Sequence, residues 1–127
     1  MKKIIHTDKA PLAIGTYSQA VATENLTFIS GQIPLIPESM EIVPGDFKDR
    51  AHQVFKNLEN IAKAAGGTLD NAVKVTIFLT DLDNFTSVNE VMAEYFQEPY
   101  PARAAVGVSS LPKGVDIEAE AILSLKG

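Results

Sequence analysis

Between residues 46 and 65, apolar side chains recur at intervals of three and four: Phe47, Ala51, Val54, Phe55, Leu58, Ile61, Ala62 and Ala65 fall on one helical face. Asp46 suits the N-cap, because a carboxylate there can accept a free amide of the first turn, and Gly66-Gly67 suit the end. Beyond this helix, Val73, Val75, Ile77 and Leu79 alternate with Lys74, Thr76, Phe78 and Thr80, the period of a strand with one buried face. A second amphipathic helix is predicted from near Asp83, through Phe85, Val88, Met92 and Tyr95 or Phe96, with Pro99 as its stop.

The two ends of the chain read as strands. Residues 20–24 and 26–30 form a short hairpin turning at Asn25, a residue that tolerates turn geometry. Residues 102–108 and 115–125 are the closing pair. In the last strand, Val115, Ile117, Ala119, Ala121 and Leu123 make one apolar set, and Asp116, Glu118 and Glu120 share the opposite face. In the strand before it, Ala102, Ala104, Val106 and Val108 are expected to meet the helices, which leaves Arg103, Ala105 and Gly107 on the side of Glu118 and Glu120. Strands, helix, strand, helix, strands describe an α+β chain of two layers, with both helices on one face of a mixed sheet. With no repeat, low-complexity tract or linker, residues 1–127 read as one domain.

A chain of 127 residues has room for one core and little depth for a pocket, so a site shared between subunits is expected. The absence of cysteine removes disulfides, thiolate nucleophiles and zinc-thiolate sites together. Eleven basic against sixteen acidic side chains, a net charge of -5 with dispersed lysines, disfavours a nucleic-acid surface. No run approaches the ~20 apolar residues that span a bilayer, and the two lysines at the start precede no apolar signal stretch, so the expected location is cytoplasmic. His6 and His52 stand apart with no metal-ligand spacing, and no metal is expected. Ser30 lacks the Gly-x-Ser-x-Gly elbow of a serine hydrolase, and the glycines form no phosphate-cradling loop.

Arg103 is one of two arginines and lies among small residues, which leaves space beside its guanidinium for a ligand. An ion pair with Glu118 or Glu120 is the bland alternative. Those two glutamates, about 6 to 7 Å apart along a strand, have the pairing used by glycosidases, but a chain without tryptophan offers little surface for stacking a sugar.

Taken together, Ala13-Ile14-Gly15-Thr16-Tyr17-Ser18-Gln19, Ser30-Gly31-Gln32-Ile33-Pro34, Val88-Asn89, Pro101-Ala102-Arg103, Leu111-Pro112-Lys113 and Ile117-Glu118 closely resemble the successive signatures of the Rid family, the reactive intermediate or enamine/imine deaminases. The resemblance runs essentially end to end. It implies a chorismate-mutase-like α+β fold, a mixed sheet of about six strands with two helices packed on one face, and a homotrimer with sites in clefts between subunits. The implied reaction is hydrolysis of 2-iminobutanoate and 2-iminopropanoate, or their enamines, released by pyridoxal-phosphate enzymes, to 2-keto acids and ammonia. No cofactor is implied. By the same resemblance Arg103 grips the substrate carboxylate and Glu118 positions a water, while Tyr17, Ser30, Gly31, Asn89 and Ala105 line or shape the site.

A guanidinium fork can hold a carboxylate through two parallel hydrogen bonds, which lysine cannot copy. The chain departs from the family pattern at Thr16, where proline is frequent, and at Ala105, where many members carry cysteine. Gly107 and Ser110 stand at positions often charged in close relatives, and these bear on substrate preference. A non-enzymatic trimer that senses a 2-keto acid would share the fold and Arg103, but it has no need of a water-activating acid such as Glu118. An RNA-cleaving role asks for a basic surface or a histidine pair, which this sequence lacks.

Overall fold

Capping sets the first helix where the pattern places it. In the computed structural model, which describes residues 2–125, helix α1 spans Phe47–Ala64. The Asp46 carboxylate accepts the Asp49 amide at 3.0 Å, and the Asp49 carboxylate accepts the Asp46 amide at 3.0 Å, so two free donors of the first turn are satisfied reciprocally. Gly66, in left-handed geometry at φ +94, closes the other end. The face bearing Ala51, Val54, Phe55, Leu58, Ile61 and Ala62 is completely buried against the sheet.

Six strands form that sheet: β1 (Lys2–Ile5), β2 (Ala20–Thr23), β3 (Leu26–Gln32), β4 (Ala72–Leu79), β5 (Ala102–Gly107) and β6 (Ile117–Ser124). Their spatial order is β1-β2-β3-β6-β4-β5, with only the β4 and β5 pair parallel. The two-layer mixed architecture is the one expected. Strand β1 was not foreseen, because three of its four residues are exposed and show no alternation. In the β2–β3 hairpin the left-handed residue is Glu24, at φ +49, rather than Asn25.

Two details of the second half differ from expectation. Val73 is 45% exposed and Ala72 takes its place in the core, because the pairing of β4 with β6 shifts register between Ala72 and Lys74. Helix α2 covers only Phe85–Met92, entered through a 3₁₀ turn at Leu82–Asn84 that the Asp81 side chain caps at the Asp83 amide. It stops well before Pro99. Past Met92 the backbone tightens, with Glu94 and Tyr95 bonding three residues back. That turn delivers Tyr95 and Phe96 to Phe55, at ring-centroid distances of 5.7 and 5.9 Å.

The largest correction concerns β5. Its parallel register sets Arg103 beside Val75, Ala105 beside Ile77 and Gly107 beside Leu79, and those three β4 residues are buried under the helices. Arg103, Ala105 and Gly107 therefore face the helix layer, and Ala102, Ala104 and Val106 face the open side, the reverse of the expectation. An edge strand of small residues carries no polar and apolar contrast from which its facing could be read. In β6, Ile117, Ala119, Ala121 and Leu123 are buried and Glu118 and Glu120 lie on the open face, as expected, whereas Asp116, expected beside those glutamates, precedes the strand and binds Arg50 of α1. Among the described residues, no helix is long and apolar enough to cross a membrane.

Candidate functional site

Arg103 leaves edge strand β5 towards α2, where Phe85, Asn89 and Met92 stand at intervals of four and three residues and so form one stripe. The Arg103 Nη1 donates to Asn89 Oδ1 at 2.6 Å and lies 3.7 Å from the Met92 sulfur. Its guanidinium carbon sits over the Phe85 ring, 4.8 Å from the centroid. All three neighbours are neutral. Among the described residues no carboxylate forms an ion pair with Arg103, so the bland reading of a structural pair with Glu118 or Glu120 is excluded within the chain. Arg103 and Asn89 line a cavity of about 430 Å³ whose walls include Met92, Phe96, Tyr100 and Pro101.

The other expected residues gather on the opposite side of the sheet. Strand β3 carries a bulge against β6: Ile29 pairs with Ala121 and Gln32 with Ala119, so Ser30 and Gly31 together oppose Glu120 alone. The Glu118 side chain lies against Gly31 so closely that a methyl group there would overlap its carboxylate. The Ser30 hydroxyl donates to the Ser18 carbonyl, and the Ser30 amide bonds the Gln19 carbonyl at 2.9 Å, which fastens the loop bearing Tyr17 to the bulge. Gln19 itself is buried and bonds four backbone groups between Thr7 and Pro11, holding the base of that loop. Tyr17 remains 51% exposed. Tyr17, Ser30 and Glu120 line a second, open cavity of about 640 Å³.

Burial is the main cause that raises the Glu118 pKa from its ordinary value, with repulsion from Glu120 second. A carboxyl group poised in that way suits proton transfer.

The structure thus collects the expected residues into two clusters. Arg103, Asn89 and Ala105 belong to the helix face at the β5 edge; Tyr17, Ser30, Gly31 and Glu118 surround the β3 bulge on the open face. The expectation that Arg103 and Glu118 converge above one uncovered side of the sheet is incorrect for a single chain, because their strands present them to opposite faces. Sequence reasoning also missed Phe85 and Met92 as neighbours of the guanidinium. Their spacing with Asn89 is the available signal, masked because both residues also fit the apolar face of the helix.

These motifs and this fold define a class. The chain belongs to the family described as Endoribonuclease L-PSP, whose pattern matches residues 7–124, the family that includes the Rid proteins. It is 53% identical to a RutC family protein of Pyrococcus horikoshii over 122 residues, 96% of this chain and 97% of that protein. It is 50% identical to the 2-iminobutanoate/2-iminopropanoate deaminase of Rattus norvegicus, over 96% of this chain and 89% of that enzyme. The crystal structure of RidA from an Antarctic Psychrobacter superimposes with a TM-score of 0.93 at 53% identity, covering 97% of this chain and 99% of the other.

Proposed function

We propose that this protein is a 2-iminobutanoate/2-iminopropanoate deaminase, which hydrolyses the reactive enamines and imines released by pyridoxal-phosphate enzymes. One imine and one water give one 2-keto acid and one ammonia. The observation that carries the reading is Arg103: a cation with neutral partners only, beside a cavity, on a chain about half identical to an enzyme of that name. In this reading the guanidinium binds the substrate carboxylate through two charge-assisted hydrogen bonds, of about 1.5 to 3 kcal/mol each.

The imine carbon is already electrophilic, so no cofactor is needed to activate it. Glu118 orients a water and takes its proton as the oxygen adds to carbon. It returns that proton to nitrogen, which completes the carbinolamine, then takes the hydroxyl proton and delivers it to the same nitrogen, so that ammonia leaves as the carbonyl forms. Burial and Glu120 raise the Glu118 pKa, the direction that favours holding a proton between the two transfers. Tyr17, Ser30, Gly31, Asn89 and Ala105 shape the same site.

The active form in this proposal is a homotrimer with its sites between subunits. Support comes from the two clusters on opposite sheet faces, since a second copy is what could bring the Glu118 side of one chain to the Arg103 side of another. A net charge of -5, with His6 beside Asp8 and His52 beside Tyr95 rather than beside each other, gives RNA cleavage no comparable support.

The test is a coupled assay. A threonine or serine dehydratase generates the enamine, and decay of the imine is followed with and without this protein. Faster ammonia release with the protein is expected; an unchanged rate rejects the deaminase and favours a binding role for the Arg103 cavity.

A further inference from the structure

An exposed arginine samples many rotamers, and ordering it at the moment of binding weakens the grip on a small ligand. Arg103 is ordered beforehand by groups that leave its charge intact. The Phe85 ring is partly buried and packed on the core, so its place does not depend on a ligand. It lies under the guanidinium carbon at 4.8 Å, within the range where an aromatic face attracts a cation. A carboxylate in that position would hold the arginine as firmly, but it would neutralise the charge and compete with the ligand. Asn89 and Met92 engage Nη1, and among the described residues Nε and Nη2 have no protein partner.

We infer that Phe85 is a positioning residue: its ring fixes the Arg103 guanidinium so that the unpartnered Nε and Nη2 groups are presented together to a ligand carboxylate. The inference rests on the deaminase reading for the identity of that ligand, a 2-imino or 2-keto acid. It predicts a role for the ring face, which Tyr can supply and Leu cannot.

The experiment measures binding of 2-oxobutanoate, a stable product, and of its uncharged amide, to the intact protein and to Phe85→Leu and Phe85→Tyr. Imine turnover is followed in parallel. For Phe85→Leu the Kd for 2-oxobutanoate and the KM should rise about 5-fold, with kcat within about 2-fold of wild type and amide binding unchanged. Phe85→Tyr should bind the acid as wild type does. An unchanged Kd in Phe85→Leu overturns the inference, as does equal weakening of acid and amide, which would mean that the ring merely shapes the cavity.

A wild-type protein that neither binds 2-oxobutanoate nor hydrolyses the imine would sink the deaminase reading itself, and this inference with it; normal wild-type activity with an indifferent Phe85→Leu sinks the inference alone. Should Phe85→Leu fail to fold, the guanidinium protons of wild-type Arg103 decide the matter by NMR. Assigned by their loss in Arg103→Lys, they should be shifted upfield by the Phe85 ring, and unshifted resonances overturn the proposal.

Discussion

The two arginines of this chain are held in opposite ways. Arg50, on α1, gives Nε and Nη2 to the two oxygens of Asp116 at 2.9 Å each, and Nη1 to the Gly45 carbonyl at 2.9 Å. Its charge is matched by a fork-to-fork carboxylate, and the pair fastens the helix to the entry of β6. Arg103 meets an amide oxygen, a thioether and a ring, none of which carries charge. The residue type is the same in both places. What differs is the counter-charge, which the protein supplies to Arg50 and, among the described residues, not to Arg103.

Replacing Arg103 should have the largest effect. Both Arg103→Ala and Arg103→Lys are expected to lower kcat/KM about 100-fold or more, since two charge-assisted bonds and a planar fork are lost. The melting temperature should stay near that of wild type, because no buried carboxylate is orphaned. A lysine variant with wild-type rates would erase the distinction drawn between the two arginines.

Next comes the opposite face of the sheet. Glu118→Gln should lower kcat about 100-fold with little change in KM, as expected for removal of a proton-transfer group that does not anchor the substrate. If sites form between subunits, co-expressing this variant with Arg103→Ala should recover part of the activity that each lacks alone. Some interfaces would then combine an intact Arg103 with an intact Glu118. Failure to recover activity in verified mixed assemblies would count against the shared site.

How much of this could be read in advance depends on what each signal reports. Helix α1 and strand β6 were legible because their buried faces contrast with charged ones, at periods near 3.6 and 2. Arg103 and Glu118 stand out as candidates through the family motifs that contain them. Their facing was not legible, because β5 has alanine, valine or glycine on either side of Arg103 and its orientation is fixed only by parallel pairing with β4. The bulge at Ser30-Gly31 was equally hidden: a bulge is a property of two paired strands, and one strand's sequence does not contain the partner's register.

A smaller and purely structural loss is expected at Arg50. Arg50→Ala leaves Asp116 partly buried without its bidentate partner, and should cost about 1 kcal/mol, or a few degrees of melting temperature. Activity well below the melting point should be unchanged. The comparison between the arginines is sharpened if stability and catalysis dissociate in this way, and broken if Arg50→Ala is stable but inactive.

The smallest effect concerns pH. Burial and Glu120 raise the Glu118 pKa in the folded protein, so the folded state holds this proton to higher pH than the unfolded chain does. Its contribution to stability is therefore fully present below the ordinary glutamate pKa, fades as pH rises through the folded value, and gives way to a constant penalty for the ionised group above it. Glu118→Gln removes that penalty. At neutral pH the variant should be more stable than wild type by under about 1 kcal/mol, because solvent screens a group that is only partly buried. In acid the two should unfold alike. Thermal unfolding of both proteins from acid to neutral pH reads the difference directly, and a variant less stable than wild type at neutral pH would mean that the carboxylate contributes a favourable contact outweighing its burial.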